Sequence, residues 1–423
     1  MSYAQKMLDA LDKQDLPLAN EMFTKALKKD DDDTLYGLAE ELYALGFLQQ
    51  AQQIYEHLLK LYPQEDNIKT ILADIAISNG DSDAALNYLA DIEPTSPAYA
   101  ASLLTAADLY QTLGMTEVSE QKLMEGMRLY PDEQVMPFAL AELEYNDGNY
   151  AAAIALYQSL LTDDVKEMSG VNIKLRLASA ETLHGDFEAA YEDFKDIPHA
   201  QFSNDELFQL GMVDVQLHEY KQAVEVLTEL QQRDAQYTSL YPVLAEAQEK
   251  LGQLNEALQT VQIGLGMDEF NERLNKRGSE IAVKLGNLKL GEQFLRAALE
   301  INHDNMSTIV SLSNLLIDQK RYDENIDLLR PILKAHQDID PQIYWNLGRS
   351  YLAKDEVVPA NDAYMQAYDA FHQQPSFLRD LITLFQMSGE RQQLISALKR
   401  YLKVQPDDLD MQDLLDEYLN ENN

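Results

Sequence analysis

Residues 36–63 read YGLAEELYALGFLQQAQQIYEHLLKLYP, and this stretch decides the fold. Around Gly46 it places the small Ala39 seven residues before, Ala51 five after, the large Tyr55 nine after and Pro63 seventeen after. The arrangement returns around Gly80, Gly114 and Gly148, each 34 residues beyond the last. Ala73, Ala107 and Ala141 precede these glycines, Ala85, Ser119 and Ala153 follow, Leu89, Leu123 and Tyr157 stand nine on, and Pro97 and Pro131 close two of the units. Small residues recur where two helix axes approach closely, large ones fill the space between, and proline ends a unit because it cannot continue a helix.

The pattern continues through Ala19, Phe23 and Ala26 near the start, and through Gly185, Ala190 and Phe194 after an insertion around Met168 to Gly170. Further units carry Gly211 with Leu227, Gly252 with Val261, Gly286 with Leu295, the weaker Tyr322 with Leu329, Gly348 with Tyr364, and Gly389 with Leu398. A 34-residue period of small residue, glycine turn, alanine, bulky residue and proline resembles the tetratricopeptide repeat, a helix-turn-helix unit. The resemblance implies an all-α fold, a right-handed α-α superhelix of about twelve repeats, with units beginning near residues 1, 32, 66, 100, 134, 171, 204, 238, 272, 306, 341 and 375. We divide it into 1–167, holding repeats 1–5, and 171–408, holding repeats 6–12 and continuous with the first, with Gly170 as the candidate hinge. Residues 409–423 place Met411, Leu414, Leu415, Tyr418 and Leu419 on one helical face, the spacing of an amphipathic capping helix.

Composition narrows the function. The 423 residues carry 33 basic and 72 acidic side chains, a net charge of −39, yet 46% are apolar, too many for a disordered acidic chain. Such a surface repels phosphate backbones and anionic lipid, so nucleic acid and membrane are not expected partners. Without cysteine there is no disulfide framework and no thiolate metal site. Neither a signal-peptide core nor an apolar run of bilayer length occurs, and the expected location is the cytoplasm.

Catalytic constellations are missing too. Gly264-Leu265-Gly266 is the nearest fragment to a phosphate loop and reads as a helix end. The histidines, His57, His184, His199, His218, His303, His336 and His372, do not fall at metal-ligand spacing. The Asp30 to Asp33 run lacks the glycine and glutamate of a calcium loop and reads as a solvated loop whose last Asp caps the next helix. The expectation is a non-enzyme without metal or cofactor.

Members of the resembled family hold partner segments along a concave groove lined by the first helix of each pair. In the columns this implies, Glu40, Asp74, Asp108 and Glu142 supply one carboxylate per repeat, with Tyr36 and Tyr43 flanking the first, Phe138 and Tyr145 flanking the last, and Asp33 at the mouth. Aromatic, carboxylate and aromatic at spacings of four and three share one helical face. Between Thr70 and Val165 the only cations are Lys122 and Arg128, so the strip suits a basic partner segment through ion pairing and cation–π contact. A solvated acidic face is the plain alternative. Co-chaperone members use a basic clamp in these columns for acidic tails, and the clamp is absent in the first half. Later columns carry Arg273, Lys276, Lys284, Trp345, Arg349 and Arg379, and net charge falls from −25 through Gly211 to −14 after it. Phe208, Met212 and Val215 form an apolar stretch between, at a spacing more often found in cores. The expected function is an interaction scaffold or adaptor for a protein or peptide with a basic segment. A peptide- or ligand-gated regulator is the alternative, disfavoured because the repeats begin almost at Met1. The chain resembles the all-repeat cytoplasmic tetratricopeptide proteins of Gram-positive bacteria.

Overall fold

The two helices of every repeat are joined by one backbone device. At Gly46 the chain turns with φ +80°, and a Cβ there would meet nothing within 4 Å, so the glycine serves the left-handed conformation and not a close approach. The amide of Phe47 then donates to the carbonyl of Leu42 at 2.8 Å, ending one helix and aiming the next. The structure is a computed structural model that describes residues 1–335 and 339–420; His336 and the last three residues of the expected cap lie outside them.

Among the described residues there are 25 α-helices and one short hairpin. Two compact units are present, Met1–Phe202 and Ser203 onward. In the first unit the leading helices of the pairs start at Tyr3, Asp32, Asp66, Tyr99, Val135 and Ile173; in the second they start at Asn204, Leu240, Glu272, Met306, Pro341 and Pro375. These starts fall within two residues of the sequence expectation. The glycine marker fades in the second unit because His218, Lys320 and Asp355 take the turn instead, with φ of 65°, 59° and 61°.

The core follows the small-and-large rule. Ala39, Ala51, Ala73, Ala85, Ala141 and Ala153 are fully buried, as are Tyr55 and Tyr157. Ser119, in an alanine column, donates its buried hydroxyl to the Ala107 carbonyl at 2.8 Å. In the second unit the small residue is glycine at two places: a Cβ on Gly211 would sit 2.6 Å from Leu227, and one on Gly348 would sit 3.0 Å from the Tyr364 ring. Gly264 lies inside the helix Leu254–Met267, where a Cβ would meet Leu274 and Tyr241, so it marks a close contact.

Several local expectations change. Asp31, not the last acid of its run, caps the helix Asp32–Ala44 by accepting from the Thr34 amide at 2.9 Å. Asp30 reaches back to the amides of Tyr3 and Ala4 at the first helix N-terminus. The insertion is the turn of a β-hairpin pairing Glu167–Met168 with Val171–Asn172; Ser169 and Gly170 both have positive φ, as a two-residue primed turn requires. Asn172 then caps the helix Ile173–His184. In the last described helix, Leu409–Asn420, Met411, Leu414, Leu415 and Tyr418 pack on the core, whereas Leu419 is exposed.

Two predictions follow from this packing. Ala51→Leu, Ala85→Leu and Ala153→Leu should each overpack a helix contact and cost about 1 to 3 kcal/mol, read from denaturant midpoints. Asp214, 1% exposed with Oδ1 unpartnered, has its pKa pushed up to about 7 by burial, with Glu219 adding to the effect. The unfolded chain releases this proton near pH 4 while the native chain keeps it to about 7, so stability falls as pH rises through that window. Asp214→Asn should raise the thermal midpoint at pH 8, with the gain vanishing below about pH 4.

Candidate functional site

One contact between neighbouring repeats organises the first-helix face. Counted back from the left-handed turns inside the repeats, the position six residues before one turn meets the position nine residues before the next at four places. Glu142 meets Arg176 in this way, Glu246 meets Arg277 at 2.7 Å, Asn314 accepts from Asn346 at 2.8 Å, and Arg349 lies 3.8 Å from Asp380. Charge sign is free to change; what recurs at these four places is a complementary pair.

Glu142 shows the arrangement at its fullest. It takes Arg176 bidentately, Nε at 3.1 Å and Nη2 at 2.7 Å, and accepts the Tyr157 hydroxyl at 2.6 Å. The guanidinium carbon lies 4.7 Å from the Tyr145 ring centroid, within cation–π range. Burial opposes the charge of Arg176, but the Glu142 hydrogen bonds and charge outweigh it and hold its pKa above the usual value. Two expected strip residues, Glu142 and Tyr145, are thus engaged by the chain itself. Arg176 lies eleven residues beyond the cation-poor stretch that ends at Val165, so the sequence expectation did not include it.

The other three acids of the strip are placed differently. The positions opposite Glu40, Asp74 and Asp108 are Ile71, Thr105 and Ala139, none of them charged. Asp74 accepts the Tyr43 hydroxyl from the preceding repeat, and no ion pair engages Glu40, Asp74 or Asp108 among the described residues. Desolvation first, and the Asp74 carboxylate second, hold Asp108 above the ordinary carboxylate range. Tyr43 is pushed up to about 12 by desolvation and by its bond to Asp74. Tyr36, Glu40 and Tyr43 all lie close enough to the buried Tyr55 hydroxyl to raise its pKa further, after burial itself. Tyr36 packs edge-on against Tyr55 at 5.9 Å and, with Asp33, lines a cavity of about 310 Å³ whose other walls are Asp32, Leu58, Tyr62, Glu65 and Ile68. Phe138 is not on the open face: it is 7% exposed, packed among Ala141, Tyr157 and Leu177.

In the second unit most expected basic residues already have partners. Lys284 pairs with Glu249, Arg379 bonds Tyr401 at 2.7 Å and Asp408 at 2.5 Å, and Lys276 donates to Ser307 at 2.8 Å. Trp345 is 7% exposed; its indole donates to Asp380 at 2.8 Å and its ring packs on Phe371 and Phe377, so it belongs to the core. Arg273 is exposed and borders a cavity of about 530 Å³ with Phe208, Met212 and Val215, which are therefore not wholly core. Among the described residues no group of three or more metal-ligating side chains gathers, and no helix is long and apolar enough to cross a membrane.

Comparison with known proteins places these features in context. Family models described as YpiA-like tetratricopeptide repeats match residues 111–165, and YpiA-like C-terminal tetratricopeptide repeats match residues 341–408. The chain is similar to the TPR repeat-containing protein YpiA of Bacillus subtilis, 29% identical over 381 residues that cover 90% of each chain. Solved structures with a related trace include PilF of Pseudomonas aeruginosa, at 18% identity and TM-score 0.43 over 51% of this chain and 97% of that one. The Cut9-Hcn1 hetero-tetramer of the APC/C gives 13% identity and TM-score 0.42 over 98% and 95% of the two chains.

The Glu142 network makes a stability prediction. Arg176→Met should cost about 1 to 3 kcal/mol, because it strands a carboxylate that is mostly shielded from solvent. A double-mutant cycle with Glu142→Gln should recover a coupling of about 1 kcal/mol or more.

Proposed function

On the premise that the chain is a tetratricopeptide-repeat protein, we propose that it is a non-catalytic interaction scaffold whose first unit holds an extended basic segment of a partner protein along Glu40, Asp74 and Asp108. The observation that carries this reading is the pairing column. To Glu142, Glu246 and Arg349 in that column the chain supplies the opposite charge from the next repeat, and to Glu280, which faces the uncharged Ser311, it supplies Arg277 of the same helix. At three consecutive repeats it leaves a carboxylate with no charged residue opposite. A merely solvated acidic surface has no reason to distinguish this column from other exposed acids. Cationic side chains spaced along an extended peptide would supply what the neighbouring repeat omits.

A blocked Gly/Ser peptide interspersed with lysines, titrated by calorimetry, tests this. Affinity should fall as salt rises, since the Debye length at physiological salt is only about 8 Å. The triple variant Glu40→Gln, Asp74→Asn, Asp108→Asn should abolish binding. Asp83→Asn with Glu117→Gln, exposed acids of second helices, should leave the affinity within about twofold, as expected when distant surface charges are largely screened. Equal losses from both variants would leave only a polyanionic surface and no site.

A further inference from the structure

The constellation around Glu142 occurs a second time with its arginine missing. Glu142, Tyr145 and Tyr157 stand six before, three before and nine after the turn Gly148; Glu40, Tyr43 and Tyr55 stand at the same places around Gly46. In the later copy Arg176, nine residues before the turn Gly185, fills the site. In the earlier copy the residue nine before Gly80 is Ile71, uncharged and shorter. Its surroundings register the loss. Tyr55 is 0% exposed and its hydroxyl has no hydrogen-bond partner, whereas the matching Tyr157 hydroxyl donates to Glu142. Glu40 is exposed and makes no hydrogen bond or ion pair among the described residues. The Tyr43 ring is tethered through its hydroxyl to Asp74, a second carboxylate on the rim.

We propose that Glu40, Tyr43 and Tyr55 form a receptor for one guanidinium group, that of an arginine side chain on a partner protein. Glu40 accepts it through both carboxylate oxygens, the Tyr43 face lies against its plane, and the Tyr55 hydroxyl gains Glu40 as acceptor once that carboxylate is drawn down. Arginine is chosen over lysine by the geometry of the filled copy: Nε and Nη2 occupy separate oxygens of Glu142, a fork that a single ammonium cannot reproduce, while the planar cation lies over the ring. This inference rests on the groove reading above and names the side chain that the first acid of the strip selects.

The test uses the full chain and three blocked Gly/Ser peptides that differ only in carrying arginine, lysine or the neutral isostere citrulline. The arginine peptide should bind at least about fivefold tighter than the lysine peptide, and citrulline should not bind measurably. Tyr55→Phe removes only an unpartnered hydroxyl, so its thermal midpoint should equal or exceed that of the parent. The same variant, and Glu40→Gln, should each reduce arginine-peptide affinity to the lysine level. Equal binding of arginine and lysine peptides, with Tyr55→Phe without effect, would overturn the guanidinium site and leave the groove reading standing. Absence of binding by both cationic peptides would overturn the two together.

Discussion

The contact on which the rest depends is the meeting, inside every repeat but the first and the last, of a small residue before the turn with a large one after it. The left-handed turn sets the distance between the two helices, and the small residue lets them close to it. Gly211 under Leu227 and Gly348 under Tyr364 show how little room remains, since even a methyl group would press on the facing side chain. Close packing of this kind leaves the helix pair one register. Because a single pair cannot bury its apolar face, the register passes to the next repeat through the shared core, in each unit by itself.

Fixed register has a second consequence on the first-helix face. Within a unit, positions at these offsets from successive turns can come together, so polar side chains there are either answered or left open. Glu142 with Arg176 and Arg349 with Asp380 solve the same geometric problem with opposite charge order. The asparagine pair of residues 314 and 346 solves it without charge. Against that background, three successive carboxylates without a charged partner stand out as a property of the sequence and not of acidity in general.

Fold was legible because turn glycines and alanines are tied to backbone geometry and leave few substitutes. It faded where His218, Lys320 and Asp355 accept a left-handed φ that glycine takes more easily. Site residues were harder to read, for a reason visible at Phe138 and Trp345. Assigning a helix face from spacing gives direction to within a fraction of a turn, and a large aromatic at the edge of that face can swing into the neighbouring repeat. Arg176 lies outside the 34-residue column because the hairpin insertion shifts it three residues against the preceding period, although counting back from Gly185 recovers its place. The unpartnered Tyr55 hydroxyl had no sequence signature, since Tyr157 in the same column is fully bonded.

On this reading Glu40 lacks only the cation that Glu142 and Glu246 receive in the same column. The direct measurement is a double-mutant cycle in thermal or denaturant unfolding between Ile71→Arg, which supplies a guanidinium nine residues before Gly80, and Glu40→Gln. Replacing a half-buried isoleucine carries its own cost, which the cycle cancels. A favourable coupling of about 1 kcal/mol or more is predicted, in line with partly shielded bidentate pairs. A coupling indistinguishable from zero would contradict the claim.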